Sequence, residues 1–231
     1  MTRIAVIPAR GGSKRIPRKN IKDFFGKPMI VWSIEAAVAS ESFDRVIVST
    51  DDDEIAQLSK SFGAEVPFIR PKALSDDFTA TVPVIKHAIE QLKKDENNID
   101  VVCCLYATAP FVQALDIKKS VDRLVSQQEL DYVFSATTYP FPIQRAIKVA
   151  DNGQVSMFYP EYQQTRSQDL EPSFHDAGQF YVGRSTAWLE ERPIYSSQSN
   201  AYILPRTRVQ DIDTMEDWRQ AELMMQAIKQ G

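Results

Sequence analysis

Glycine is scarce in this chain: 8 of 231 residues, about half the usual ~7%. The one place where two stand together, Gly11-Gly12, therefore asks for a reason. Cysteine is scarcer still. Cys103 and Cys104 are adjacent in a strand-like run, so their side chains point to opposite faces and make no framework disulfide. That usage predicts a reducing, cytoplasmic setting. No apolar run approaches the ~20 residues of a membrane span, and no apolar signal region precedes the first strand. The dinucleotide spacing G-x-G-x-x-G and the P-loop G-x-x-x-x-G-K-[ST] are both absent. There is no internal repeat and no low-complexity tract.

Acids are almost missing from the first thirty residues. Eight Lys/Arg (Arg3, Arg10, Lys14, Arg15, Arg18, Lys19, Lys22, Lys27) stand there against Asp23 alone, a balance of +7. The other 201 residues carry 19 basic and 30 acidic side chains, a balance of −11, for −4 overall. An acidic chain with a basic head argues against general nucleic-acid binding and for one local anionic ligand.

Hydrophobic residues at 43% and charged residues at 25% suit a single globular domain, 1–231, with an ample core. Arg3–Pro8, Arg45–Thr50, Ala64–Ile69, Val101–Tyr106 and Tyr132–Ala136 read as strands. Helices are expected from Pro28, from Asp51–Asp53 to the stop at Gly63, over Thr81–Lys94 and over Ile117–Val125. Alternation of strand and helix predicts an α/β fold whose sheet is mostly parallel, with helices on both faces. From Tyr139 to about Arg208 prolines and aromatics break the rhythm, with strands expected near Gln179–Gly183 and Tyr202–Leu204. A closing helix over Met215–Lys229 offers Trp218, Leu223, Met224 and Ile228 to the core.

The basic loop Ala9-Arg10-Gly11-Gly12-Ser13-Lys14, continuing to Lys19-Asn20, directly follows the first strand. Ligands of open α/β sheets bind outside the carboxyl ends of strands. Glycines there permit close backbone approach and positive φ, and Arg10, Lys14 and Lys19 suit phosphates. A solvated surface loop is the plain alternative. In a strand, Asp211 and Asp213 would share a face and reach one hard cation while Ile212 points inward; a helix-capping acidic cluster is the alternative.

Ile7-Pro8-Ala9-Arg10-Gly11-Gly12-Ser13-Lys14 with Lys19-Asn20 resembles the opening motif of the CMP-sugar synthetases, cytidylyltransferases that activate nine-carbon 2-keto sugar acids. The resemblance continues through Ser49-Thr50-Asp51, Arg70-Pro71, Arg166-Ser167-Gln168-Asp169 and Asp211-Ile212-Asp213. It implies a three-layer, Rossmann-like nucleotidyltransferase fold and a homodimer contacting through the excursion at 139–200. It further implies CTP and a sugar acid as partners, with Mg²⁺ held by Asp211 and Asp213. Nucleotide contacts are implied for Ala9 to Lys14, Lys19, Asn20, Arg70 and Thr81, with Arg10 and Lys19 beside the acids in catalysis.

On the sugar side the resemblance implies Tyr106, Thr108, Phe141, Gln144, Arg145, Arg166, Gln168, Asp169, Asp176, Gln179 and Tyr181. Arg166 has the planar fork to grip a carboxylate, or else forms a surface ion pair with Asp169. Phe141 is as compatible with a core or dimer interface, His175 has no assigned role, and His87 reads as structural. Sialic-acid synthetases usually carry glutamine and serine where this chain has Tyr106 and Ala109. The aromatic replacement suits a less hydroxylated nonulosonic acid such as pseudaminic acid. N-acetylneuraminate, legionaminate and a KDO-like sugar remain alternatives, as does a non-catalytic nucleotide-binding module.

Overall fold

The computed structural model describes residues 1–94 and 98–230. Four buried apolar runs and one half-buried edge strand form the parallel part of one six-stranded sheet: β1 (Thr2–Pro8), β4 (Arg45–Ser49), β5 (Ile99–Leu105) and β6 (Tyr132–Thr138), with β10 (Ser199–Ile203) at the edge. A sixth, β9 (Phe174–Arg184), runs antiparallel between β5 and β6, giving the order β10-β6-β9-β5-β1-β4. Two short hairpins stand apart from it, β2 (Asp23–Phe24) with β3 (Lys27–Pro28), and β7 (Ile147–Val149) with β8 (Val155–Met157).

Alternate residues of the strands feed two separate cores. One face packs Ala5, Ile7, Val48 and Cys103 against α1 (Met29–Ala39), α2 (Asp53–Ser61) and α4 (Ala114–Ser126). The other packs Ile4, Val6, Ile47 and Cys104 against α3 (Thr81–Leu92) and α5 (Ser185–Leu189). The two cysteines thus sit on opposite faces, both free and buried. The expected stripe of α3 (Val84, Ile85, Ala88, Ile89, Leu92) is the buried one. Asp52 caps α2 by accepting from the Ile55 amide at 2.9 Å, and Gly63 ends the turn beyond it at φ +90°. Gly183 is a glycine for space: a Cβ there would stand 2.5 Å from the Trp188 indole nitrogen and 2.6 Å from the Tyr132 ring.

Several expectations need correction. Ala64–Ile69 forms no strand; it touches the sheet through one bridge, Ile47 to Glu65, because Pro67 cannot donate to a ladder. Pro28 closes β3 and caps α1 rather than opening the helix. The last helix, α6 (Met215–Gln230), buries Trp218, Ala221 and Met225, whereas Leu223 and Ile228 face outward. It docks on a third, smaller core with Ile16, Phe24, Phe111 and Ile212, so a single narrow stripe is covered.

Candidate active site

Because β1 and β5 are parallel neighbours, the loops after Pro8 and Leu105 leave the same edge of the sheet. Between them lies a cleft of about 640 Å³. Arg10, Ser13, Lys14, Lys19 and Asn20 line it from the first loop, joined by Arg70 and Thr81, by Tyr106 and Thr108 after β5, and by Asp213. Ten of the expected residues therefore meet in one place. Arg15, Asp76 and Asp77 also line it and were missed; an Asp-Asp pair six residues after Arg70 is an ordinary turn signal in sequence.

The loop is held by side chains from the β4–α2 junction. The Gly11 amide donates to Asp51 Oδ1 at 3.0 Å, and a Cβ on Gly11 would stand 2.5 Å from Asp52 Oδ2. Close approach, not positive φ, is therefore what this glycine supplies. Neither Gly11 nor Gly12 is left-handed, and Gly12 faces open space. The left-handed turn falls instead at Arg18, φ 55°, whose guanidinium pairs with Asp52 and Glu54. That pairing holds the Asp52 carboxyl below its usual range. Asn20 is buried and donates to the Arg10 carbonyl at 3.0 Å, closing the loop on itself, and Ala9 is buried beneath it.

Each cation in the cleft has an acid or carbonyl within hydrogen-bond distance except one. Arg10 pairs with Asp77 at 3.0 Å and donates to the Asp76 carbonyl; Lys14 also reaches Asp77. Lys19 donates to the Ile212 carbonyl at 2.6 Å and lies 3.4 Å from Asp213, which Arg15 meets at 2.9 Å. Arg70 differs. Its side chain is 4% exposed, Nε donates to Ser75 Oγ at 3.1 Å, and the nearest carboxylate, Asp51, is 3.9 Å from Nη2. Nη2 is buried with no hydrogen-bond partner, and burial pulls the guanidinium below its ordinary pKa.

Asp211 and Asp213 lie in a loop before α6, not in a strand. Ile212 between them is nevertheless fully buried, which fixes the segment at the cleft. Capping of α6 falls to Thr214, whose Oγ1 accepts from the Asp217 amide at 3.2 Å, while the Asp217 carboxylate accepts in return from the Asp213 and Thr214 amides at 3.1 and 2.7 Å. The two earlier acids are thus spared that task. Surrounding protein and the Asp213 charge push the Asp211 carboxyl up, against the pull of Lys19. Among the described residues no cluster of three or more His, Cys, Asp or Glu could hold a metal. Asp213 lines the cleft and Asp211 stands two residues away outside it; magnesium needs only one or two carboxylates with waters and phosphate oxygens, which these acids can supply.

The remaining expected residues divide in two. Asp176, Gln179 and Tyr181 stand behind the cleft wall. Gln179 is buried and donates to the Arg208 carbonyl at 2.5 Å, and Tyr181 packs 5.6 Å from the Tyr106 ring. Phe141, Gln144, Arg145, Arg166, Gln168 and Asp169 do not line the cleft within one chain. Arg166 forms the local ion pair with Asp169 at 2.7 Å, and Phe141 is 79% exposed. His87 packs edge-on against Phe68, and burial lowers its pKa, a structural setting. His175 packs against Tyr139 with ring centres 4.8 Å apart and the planes tilted by 59°.

Residues 4–229 match the family model described as Cytidylyltransferase. The chain is 46% identical to the pseudaminic acid cytidylyltransferase of Campylobacter jejuni strain 81-176, covering 97% of this chain and 96% of that protein. It is 29% identical to the CMP-N,N'-diacetyllegionaminic acid synthase of Legionella pneumophila, covering 96% of each. Among solved structures, a CMP:2-keto-3-deoxy-manno-octonic acid synthetase complexed with CTP superposes with a TM-score of 0.72 at 18% identity, covering 98% of this chain and 99% of that one.

Proposed function

We propose, for a chain that belongs to the cytidylyltransferase family, that it transfers CMP from CTP to the anomeric hydroxyl of pseudaminic acid and releases pyrophosphate. The observation that carries the nucleotide half is Arg70: a buried guanidinium with an unpartnered nitrogen in a cleft with five cations and three acids. A polyanion is the ligand such a site lacks. The sugar half rests on the full-length similarity to the Campylobacter enzyme and on Tyr106, an aromatic wall suited to a sugar with few hydroxyls.

The sugar hydroxyl attacks the α-phosphate in line with the departing pyrophosphate, so catalysis is positioning and charge stabilisation. Arg10 and Lys14, now shared with Asp77, would exchange that carboxylate for phosphate oxygens. Lys19 bridges the loop to the 211–213 segment, tying nucleotide position to the acids. Asp211 and Asp213 would hold Mg²⁺, which when bound supplies Lewis-acid polarisation of the phosphates.

The arm around β7 and β8 exposes Phe141, Ile147, Val149, Val155 and Phe158. Apolar side chains exposed together mark an interaction surface, and we assign it to a second copy of this chain. Light scattering should give about twice 26.2 kDa; a monomer mass contradicts the assignment. Two free cysteines suit a cytoplasmic enzyme, and no helix among the described residues is long and apolar enough to cross a membrane. The functional reading itself is tested by pyrophosphate release, expected only with CTP, Mg²⁺ and the sugar acid together. Binding of CTP without sugar-dependent release would leave a nucleotide-binding module.

A further inference from the structure

Asp176 does not line the cleft, yet it is connected to it, and a bulge in β9 makes the connection. Phe134 of β6 pairs with Tyr181, and Ala136 pairs with Asp176. Two residues along β6 thus face five along β9, three more than a regular ladder allows. Five residues apart on a regular strand, Asp176 and Tyr181 would point to opposite faces; the odd number of extra residues returns them to the same one. Gly178 supplies the turn at φ +61°, and its amide donates to Asp176 Oδ1 at 2.9 Å.

Asp176 Oδ2 then accepts from the Tyr181 hydroxyl and, at 3.0 Å, from the Tyr195 hydroxyl. Each tyrosine spends its single hydroxyl proton there. Tyr195 reaches in from an exposed loop, with its ring edge-on against Phe134 at 5.3 Å. Tyr181, fixed by this bond and stacked on Phe134, carries the ring of Tyr106 at 5.6 Å. The Tyr106 hydroxyl in turn lies 2.8 Å from Thr81 Oγ1. Tyr106 and Thr81 line the cleft; Asp176, Tyr181 and Tyr195 are their support. Burial raises the Tyr106 phenol to about 12 and the Tyr181 phenol well above its usual value, so both stay protonated at neutral pH.

We infer that Asp176 is a positioning residue for acceptor-sugar selection, acting through Tyr181 to hold the Tyr106 ring and hydroxyl against Thr81 as one wall of the cleft. The inference rests on the functional reading above and replaces direct sugar contact by Asp176. A double-mutant cycle with Asp176→Ala and Tyr106→Ala tests it. Asp176→Ala alone should raise the sugar KM by about 2- to 150-fold, the range of coupled contacts, with the CTP Kd changed by less than about twofold. In the Tyr106→Ala background the same change should cost less than threefold. Asp176→Asn, which keeps an accepting oxygen, should recover most of the loss. Tyr195→Phe, on the exposed loop, gives a milder loss in the same direction without threatening the fold. Equal effects of Asp176→Ala in both backgrounds, or CTP affinity and thermal stability falling together with sugar KM, overturn the inference while the parent remains active. A parent that transfers no CMP overturns the functional reading and this acceptor-side role with it.

Discussion

Replacing Arg70 by methionine is expected to weaken CTP binding about 30- to 4,000-fold, the loss for removing one partner of a buried charged contact, without lowering thermal stability. The two halves of this result have one cause. In the free protein the guanidinium is desolvated, makes one side-chain hydrogen bond through Nε, and has Asp51 only at 3.9 Å. Burial and the neighbouring Arg10 both disfavour its charge. A buried charge whose only carboxylate stands beyond hydrogen-bond distance opposes folding, and methionine fills similar volume without it. The arginine therefore costs stability in exchange for a ligand contact, a pattern of functional sites. Calorimetric CTP titration and a melting curve on the same variant check it. Unchanged CTP affinity removes Arg70 from the nucleotide site; a joint fall of affinity and melting temperature makes it a structural residue.

Asp211→Asn and Asp213→Asn should each lower kcat about a hundredfold to a thousandfold, the range for losing one preorganised transition-state stabiliser, with partial recovery as Mg²⁺ is raised. Asn keeps the shape and removes one negative charge from a pair whose members repel each other. Ile212 remains as the buried anchor, and Thr214 with Asp217 keeps the cap of α6, so folding has no reason to fail. Arg15→Ala, which removes an exposed partner of Asp213, should have a far smaller effect, since exposed ion pairs contribute little. Steady-state rates across a Mg²⁺ series make the comparison. Full turnover and an unshifted Mg²⁺ requirement in both Asn variants would take the metal away from this pair.

What could be seen in advance followed from local chemistry. The buried runs at β1, β4, β5 and β6 and the stripe of α3 declare themselves through apolar period, and the basic loop through its place after β1. What depended on distant partners was hidden. Nothing near Gly11 in sequence points to Asp52, whose side chain excludes a Cβ there. Strand direction is equally silent: β9 is antiparallel because the arm brings the chain back to the end of the sheet it left, with Phe174 opposite Thr138. The acids at 211 and 213 share the cleft segment without a strand, since one buried isoleucine suffices to fix them. The bond between Asp176 and Tyr181 was hidden too, because spacing does not reveal a three-residue bulge. Residues of the arm, such as Arg166 with its local Asp169, do not meet the cleft within one chain.

The central claim is most directly tested by a competition reaction: CTP, Mg²⁺ and equimolar pseudaminic, N-acetylneuraminic and legionaminic acids, with products weighed by mass spectrometry. CMP-pseudaminic acid should accumulate first and in excess, with one pyrophosphate released for each CMP transferred. Preferential formation of another CMP-sugar would contradict the assigned acceptor, and pyrophosphate release independent of any sugar would contradict the transfer itself.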